Sequence, residues 1–561
     1  MGLLAASACA SHPIRPWEYE PRPMADTLAI HEPAERHTSL VYGQVEGFFS
    51  GWGRALDPTR KVGGVPPALN ADPFDEVVNS AWFTNRIGRE SLDPDTVRRG
   101  PRSGSGPDLA GPITVKSIKA EGVSPGFNIE DARGDRYIVK FDPPEHWEMA
   151  SGAEVVATNL FWAAGYHVPE NYVAYLDPGT LVLDDDLQAT FQEGDSLVRY
   201  STQPGPGERE LTMEVFQRNI LERYPRGDDG RIRAMASKFL DGIPKGPFAY
   251  QGVRDDDPND VIPHEHRREL RGLYVIAAWL NHVDSKSGNT LDMFIPAEGS
   301  PEEGPAIGHL RHNLIDFGST LGSAATRPHN FRHGTEHDFD ASAIAKRLFT
   351  LGLYEREWQS VEMDTLSYPA STGYYSIDNF DPADWRTNIV NPAFVNRTAR
   401  DGYWAAKIVM AFSDEQLAAA VEAGEYSDPE AEAYLLEGLK GRRDATGRYW
   451  FGEVSPLDAP RIEDGSLVFD DLWVRHFGGP TAYHWSLDWD APDPELEVDG
   501  RAAGPSIELP EPPSGVRTGA DDAYARLEVW KVWANGDEAE RPATIWLAPD
   551  DGFWRVVGVR Y

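Results

Sequence analysis

The stretch His282-Val-Asp284-Ser-Lys286-Ser-Gly-Asn289 is followed, after a predicted short strand from Leu291 to Ile295, by Leu314-Ile315-Asp316-Phe317-Gly318. Each string is short and weak alone. Together, in this order and after a long predicted helix, they form a much more specific pattern. That helix opens at Pro263 and stops at Asn281-His282, and its apolar side comprises Leu270, Leu273, Tyr274, Ala277 and Leu280.

Upstream of this pattern, a predicted strand carries a lysine and is followed by a predicted helix. Tyr137-Ile-Val-Lys140-Phe141 alternates as a strand does. Ser151-Gly-Ala-Glu154 has the spacing of a capping box, which predicts a helix start at Ser151. Gly165 is expected to end the helix.

The combined arrangement resembles the protein-kinase signature, in which H-R-D-x-K-x-x-N precedes D-F-G. Lys140 stands where the V-A-I-K lysine does, and Glu154 lies in the helix that follows. The resemblance covers roughly Ile113 to Arg443. It implies an α+β fold, namely a bilobal protein-kinase-like domain with a β-rich N-lobe and a helical C-lobe, to which a C-terminal β-rich domain is added.

The resemblance implies a site for ATP and Mg²⁺ or Mn²⁺. Asp316 would bind the metal that bridges the phosphates, and Asn289 would supply a neutral oxygen ligand. Lys140 would hold the inner phosphates of the nucleotide. Glu154 would fix Lys140 through an ion pair.

The same resemblance assigns the acceptor side of the site. Asp284 would orient the acceptor hydroxyl and take its proton, and Lys286 would steady the transferring phosphate as a point charge. The expected activity is transfer of the ATP γ-phosphate to a hydroxyl, on a protein rather than on a lipid or a sugar.

Three features depart from the protein-kinase pattern. His282-Val283 replaces H-R, no A-P-E follows Gly318, and the predicted nucleotide loop from Glu121 to Gly126 is not G-x-G-x-x-G. The chain is therefore more similar to atypical kinases: HipA-like kinases, phosphatidylinositol kinases, whose I-D-F-G resembles Ile315 to Gly318, and secretory-pathway kinases.

Other interpretations of the same residues stay open at this point. Asp284, Asn289 and Asp316 are residue types that turns favour, and a lysine at a strand end is usually solvated. Glu154 could bond the Ser151 backbone within the capping box instead of an ammonium group. Other functions compatible with the pattern are a catalytically inactive pseudokinase, an envelope-anchored binding protein that uses its C-terminal domain, and transfer of AMP by the same scaffold.

The composition restricts the partners. The chain has 561 residues with 53 Lys and Arg against 90 Asp and Glu, a formal net charge of −37. Such a surface repels polyanions, which excludes a generic nucleic-acid binder. An acidic surface repels ATP as well, so a nucleotide site needs a local pocket that is basic or holds a metal ion. Lys140, Lys286 and Lys238 are the lysines placed to form such a pocket.

The changes in composition along the chain predict five regions. Residues 1–34 form a signal-like start and a linker, and residues 35–109 an extension that packs on the kinase-like domain. Residues 110–250 are the N-lobe and hinge, and residues 251–458 are the C-lobe. Residues 459–561 form the β-rich accessory domain, which begins with a hairpin at Asp464-Gly465.

The single cysteine, Cys9, ends the run MGLLAASAC. This run is similar to the end of a truncated bacterial lipoprotein signal, in which the cysteine carries the lipid. It predicts a lipid-anchored protein of the bacterial cell envelope. The alternative is a frayed N-terminus with an incidental cysteine, in a protein located in the cytoplasm.

Two further groups of residues are interpreted as structural. The irregular spacing of the histidines favours side chains that are hydrogen-bonded within the protein or exposed to water over a metal site. The aromatic residues of the C-terminal strands are expected to pack in a core rather than to form a sugar-stacking platform. The histidines concerned are His264, His266, His309, His312, His329, His333 and His337.

Overall fold

The computed structural model describes residues 25–37, 65–118, 126–185, 187–191, 197–201, 208–299, 306–338, 340–361, 366–489, 497–512, 524–550 and 552–561. Cys9 and the predicted nucleotide loop up to residue 125 lie outside these residues. The chain is a mixed α and β protein with several sheets. It divides into a larger unit within 25–67 and 79–449 and a C-terminal unit within 68–78 and 450–561.

The strands are β1 Ile30–His31, β2 Ile113–Ile118, β3 Gly126–Glu130, β4 Arg136–Phe141, β5 Asn171–Leu176, β6 Leu181–Leu183, β7 Gln188–Phe191, β8 Leu197–Ser201, β9 Glu208–Glu210, β10 Ile232–Lys238, β11 Ile243–Pro244, β12 Thr290–Pro296, β13 Ile307–Leu314, β14 Leu457–Glu463, β15 Ser466–Asp471, β16 Tyr483–Trp489, β17 Glu497–Ala502, β18 Ser506–Glu508, β19 Ala525–Lys531, β20 Ala543–Asp550 and β21 Phe553–Arg560. The α-helices are α1 Pro94–Arg99, α2 Met149–Ala164, α3 Met213–Asn219, α4 Arg268–Leu280, α5 Ala341–Phe349, α6 Pro392–Val395, α7 Ala399–Met410, α8 Asp414–Glu422, α9 Pro429–Gly452 and α10 Leu472–Phe477.

A six-stranded sheet in the larger unit has the order β6-β2-β3-β4-β10-β5. Alternate residues of a strand face opposite sides of its sheet, so Val139 and Phe141 enter one hydrophobic core while Lys140 faces the other side. Lys140 is paired with Met235 of β10, and Met235 packs against Val155 of α2. The strand register therefore directs Lys140 toward the face that α2 covers.

Helix α4 is buried along its whole length. Asp401 of α7 compensates the positive charges at the start of this helix, because its carboxylate lies 3.0 Å from Arg268 Nε and 3.4 Å from Arg271 Nη1. The helix ends at Asn281, which adopts a left-handed conformation with φ 52°. The chain then enters the loop that contains Asp284, so a rigid buried helix positions that loop.

Residues 25–37 lie along the larger unit. Strand β1 pairs with β13 and forms one edge of the four-stranded sheet β1-β13-β12-β11. Asp26 accepts a hydrogen bond from Arg267 at 2.8 Å, and Asn259 donates to the Leu28 carbonyl at 2.9 Å. Part of the stretch predicted to be a linker is thus packed against folded structure.

The C-terminal unit is rich in β-structure. A five-stranded sheet has the order β17-β16-β19-β20-β21, and a three-stranded sheet has the order β14-β15-β18. The predicted hairpin at Asp464-Gly465 connects β14 and β15, and both turn residues have positive φ, 47° and 80°. Inside this unit the buried Lys531 ammonium lies 2.6 Å from Asp471.

The local predictions hold where a pattern is strong. Ser413 and Gln416, whose S-x-x-Q spacing is typical of a capping box, form one at α8 with both reciprocal hydrogen bonds present. The long helix is preceded by a separate 3₁₀ turn, His264–His266, and begins at Arg268 rather than directly after Pro263. Strand β3 was not predicted from the sequence.

None of the helices in the described ranges is both long and apolar enough to cross a bilayer.

Candidate functional site

Lys140 joins two carboxylates from distant parts of the chain. Its Nζ donates to Glu154 of α2, at 3.0 Å from Oε1 and 3.3 Å from Oε2, and to Asp316 Oδ1 at 2.9 Å. The exposed fraction of the side chain is 12% for Lys140, 5% for Glu154 and 42% for Asp316. Asp316 is therefore the member of this cluster that a ligand in solution reaches most readily.

The charge on Lys140 is stabilised by these partners. Burial alone would lower the pKa of the ammonium group, but the carboxylates of Asp316 and Glu154 outweigh burial and raise this pKa above its usual range. Lys140 is consequently a permanent cation at neutral pH. It supplies a fixed positive charge within a strongly acidic protein.

Glu154 forms this ion pair in a helix, α2, that begins differently from the prediction. The predicted capping box places the helix start at Ser151, whereas α2 begins at Met149 after Glu148, whose φ is 70°. Ser151 donates its backbone N–H and its hydroxyl to Asp142, at 2.8 and 2.7 Å. The capping-box interpretation of Glu154 is therefore wrong. The Asp142 carboxylate, rather than Glu154, accepts the hydrogen bonds from Ser151 at this end of the helix.

Asp284, Lys286 and Asn289 form a second cluster in the loop after α4. Lys286 Nζ lies 2.8 Å from each carboxylate oxygen of Asp284. Asn289 Nδ2 donates to the backbone oxygen of Asp284 at 2.9 Å and to its Oδ2 at 3.0 Å. The amide of Asn289 thus fixes the direction in which the Asp284 carboxylate points, while Oδ1 contacts only Lys286 among the described residues.

The β12–β13 hairpin brings the two clusters together. Thr290 pairs with Leu314, and Ile315 donates its N–H to the Asn289 carbonyl at 3.0 Å. Asn289 and Asp316 therefore lie at neighbouring strand ends. Asp316 has φ 64°, an uncommon backbone conformation for a residue other than glycine, which the surrounding contacts must maintain.

Phe317 connects the Asp316 segment to helix α2. Its ring is fully buried and stacks on Phe161 of α2, with 4.8 Å between ring centroids. His282 packs on the same ring at 5.7 Å. Burial lowers the pKa of His282, although Asp284 opposes the shift, so this imidazole is a neutral packing partner at pH 7. The contact between Phe161 and Phe317 thus joins α2, which carries Glu154, to the segment that carries Asp316.

Two residues from a distant loop support the Asp284 segment and were missed in the sequence. Asn388 donates its N–H to the Val283 carbonyl at 2.7 Å, and Asn391 Nδ2 donates to the Ser285 carbonyl at 3.3 Å. These contacts span about one hundred residues of sequence. No local pattern connects the two segments, so sequence reasoning had no signal for them.

The donor set of the site is compatible with a hard divalent cation. Asp316 offers a partly exposed carboxylate. The amide nitrogen of Asn289 is used by Asp284, which leaves its oxygen as an acceptor. The described residues contain no group of three or more His, Cys, Asp or Glu placed to hold a metal by themselves. One carboxylate and one amide oxygen suit an ion such as Mg²⁺, which usually keeps several waters and phosphate oxygens as ligands.

All six predicted site residues therefore fall into two adjoining clusters. Lys238, the third lysine considered for a nucleotide pocket, lies 3.7 Å from Asp135 and lines a different cavity.

Comparison with protein-family models, curated proteins and solved structures gives no match to this chain.

Proposed function

We propose that this protein is an atypical kinase that transfers the γ-phosphate of ATP to a hydroxyl, on a protein rather than on a lipid or a sugar. In this proposal the six-stranded sheet and α2 form the smaller lobe, and the helices around α4 form the larger lobe. The observation that carries it is the contact of Lys140 with both Glu154 and Asp316, beside an Asp284 that Asn289 orients. Phosphoryl transfer depends mainly on positioning and on charge neutralisation, which such a fixed set of charges supplies.

Lys140, Asp316 and Asn289 would form the nucleotide side of the site. Lys140 is held by Glu154 and would bind the inner phosphates of ATP as a fixed cation. Asp316 and Asn289 would offer oxygen ligands to Mg²⁺ or Mn²⁺. The bound ion would neutralise charge on the transferring phosphate.

Asp284 would act on the acceptor hydroxyl. Its Oδ1 is the oxygen with the greater capacity to accept the hydroxyl proton, because Oδ2 is already bonded by Asn289. The acceptor oxygen forms a bond to the γ-phosphorus, the bond from that phosphorus to the bridging oxygen of ADP breaks, and the acceptor proton passes to Asp284. Lys286, in contact with Asp284, would stabilise the negative charge of the group in transit.

The direct test is an assay with ATP labelled at either the α- or the γ-phosphate, in Mg²⁺ or Mn²⁺, with protein, lipid and sugar acceptors. We expect γ-label in a protein acceptor or in the chain itself, and a loss of at least about a hundredfold in Asp316→Ala and Asp284→Asn. Asp255→Asn is the matched control, since Asp255 is exposed and belongs to neither cluster.

Each alternative result of this assay has a distinct meaning. Equal activity of Asp316→Ala and the unmodified protein would exclude the proposed site. Transfer of α-label would indicate AMP transfer instead. Thermal stabilisation by ATP without transfer of either label would identify a pseudokinase.

A further inference from the structure

A polar cavity of about 270 Å³ lies in the larger unit, and none of the six candidate site residues lines it. Five segments of the chain meet there. Arg86 comes from the chain before α1 and Ser103 from the chain after it, and His167 and Glu170 lie between α2 and β5. Lys238 and Asp241 lie at the end of β10 and just beyond it, and Met293, Arg311 and Asn313 come from the β12–β13 hairpin.

The charged side chains of this cavity favour an anion. Three cations, Arg86, Lys238 and Arg311, line it against two carboxylates, Glu170 and Asp241. The Glu170 carboxylate already accepts hydrogen bonds from the N–H and the hydroxyl of Ser103 and from the Tyr172 hydroxyl, at 3.1, 2.7 and 2.5 Å. These donors disperse its charge. A cavity with excess positive charge is unusual in a chain whose net charge is −37.

Among the described residues, neither of the two guanidinium groups that line the cavity forms an ion pair with a carboxylate, although the charge of Glu90 acts on Arg86 from farther away. Arg86 donates to the carbonyls of Trp162 and Tyr166, at 2.7 and 3.4 Å, and lies over the Trp162 ring. The carbonyl of Arg311 accepts a hydrogen bond from Asn313 Nδ2 at 3.0 Å, but its guanidinium makes neither a hydrogen bond nor an ion pair within the part of the chain that the structure describes. Burial, followed by the charge of Arg86, lowers the pKa of His167 to about 3, so its imidazole is neutral and adds no cation at pH 7. The positive charge of the arginines is therefore available to a ligand.

We infer that this cavity binds a small molecule through a phosphate group, either free phosphate or a small phosphate monoester. Guanidinium groups match the oxygens of a phosphate in pairs, and Lys238 adds a third positive charge that Asp135, at 3.7 Å, compensates in part. The volume lies just below the range of typical ligand pockets, so the ligand must be smaller than a nucleotide. This inference does not depend on the proposed kinase activity.

Binding would link the β12–β13 hairpin to the chain around β5 and β10. Leu314, which follows Asn313, already donates its N–H to the His167 carbonyl at 2.9 Å. A phosphate held between Arg311 and Arg86 would add a second connection between the same segments. The expected consequence is a higher melting temperature in the presence of the ligand.

Isothermal titration and thermal unfolding of the full-length chain test this inference, with inorganic phosphate, glycerol phosphate, malonate and matched chloride as probes. We expect saturable binding of phosphate or of its ester with stabilisation, and weak binding of malonate. Arg311→Ala should weaken phosphate binding by about tenfold or more, since a charge-assisted contact is lost. Asp241→Asn should strengthen binding, because a negative charge is removed from the lining.

The matched control is Arg218→Ala. Arg218 is an exposed arginine on α3 outside the cavity, so its loss changes the net charge equally without touching the site. Binding that is equal in Arg311→Ala and Arg218→Ala would overturn the inference. The same holds for the absence of phosphate binding to the unmodified protein, or for malonate binding as tight as that of phosphate. Lys286→Met should bind phosphate like the unmodified protein, and a loss there would assign the phosphate to the candidate kinase site instead.

Discussion

Lys140 donates a hydrogen bond of 2.9 Å to Asp316, a residue 176 positions later in the chain. The same ammonium contacts Glu154, so one cation compensates two carboxylates. Because Glu154 is almost fully buried, this compensation matters for folding as well as for any ligand that binds at Asp316.

Removing the cation should destabilise the protein more than removing an exposed lysine would. We expect Lys140→Met to lower the free energy of unfolding by about 3–5 kcal/mol, because a buried carboxylate loses its partner. The double variant Lys140→Met with Glu154→Gln should recover part of this loss. Urea-induced unfolding measures both.

The control for this cycle is Lys116→Met. Lys116 lies on β2 of the same sheet and pairs with Asp184, but both side chains are partly exposed, so the expected cost is about 1 kcal/mol or less. Strictly additive effects of the Lys140 and Glu154 substitutions would contradict the proposed coupling.

Phe317 should be important for stability independently of any catalysis. Phe317→Ala removes a fully buried ring between Phe161 and His282, and we expect a loss of about 3–5 kcal/mol in the free energy of unfolding. Phe317→Leu keeps most of the volume and should cost less. A cost below about 1 kcal/mol for the alanine variant would show that the ring does not hold α2 and the Asp316 segment together.

Asn289 is expected to act through the orientation of Asp284 and through metal affinity. If the proposed kinase activity is present, Asn289→Ala should lower kcat by about ten- to a hundredfold and raise the Mg²⁺ concentration needed for half-maximal rate. Ser287→Ala, in the same 3₁₀ turn, is the matched control. A change in KM for ATP alone, with kcat and the Mg²⁺ requirement unaltered, would argue against this role.

The half-buried His167 should contribute to acid sensitivity. Its pKa is lowered from 6.5 to about 3, chiefly by burial, so the unfolded state binds more protons than the folded state between these values. The contribution of His167 to stability is therefore complete above pH 6.5 and decreases as the pH falls toward 3. Unfolding free energies measured at pH 4, 5.5 and 7 should decline less in His167→Gln than in the unmodified protein. The exposed His31 provides the control His31→Gln, and identical pH profiles for all three proteins would refute the assignment.

Elements with a strong local pattern could be predicted from the sequence. The Ser413 capping box and the hairpin at Asp464-Gly465 depend on neighbouring residues, and both are present. The proximity of Asn289 to Asp316 follows from a short hairpin between them. Only the family resemblance placed Lys140 near these residues.

The failures concern long-range partners. Ser151 and Glu154 have the spacing of a capping box, but Asp142 competes for the Ser151 donors and Lys140 for the Glu154 carboxylate. Arginine side chains are usually solvated, whereas Asp401 allows both Arg268 and Arg271 to be buried. In each case a tertiary contact outweighs a local preference that contributes only about 1 kcal/mol.

The short strand β1 protects a sheet edge. It covers part of β13, the strand that leads to Asp316, through the pairs of Ile30 with Gly308 and His31 with Ile307. A recombinant chain trimmed to begin after residue 37 would leave the N–H and C=O groups along that edge without their partner, and it would remove the Asp26 carboxylate from buried Arg267. Such an open edge is a template for strand addition between molecules. Self-association and poor solubility are therefore the expected result of choosing that starting point for expression.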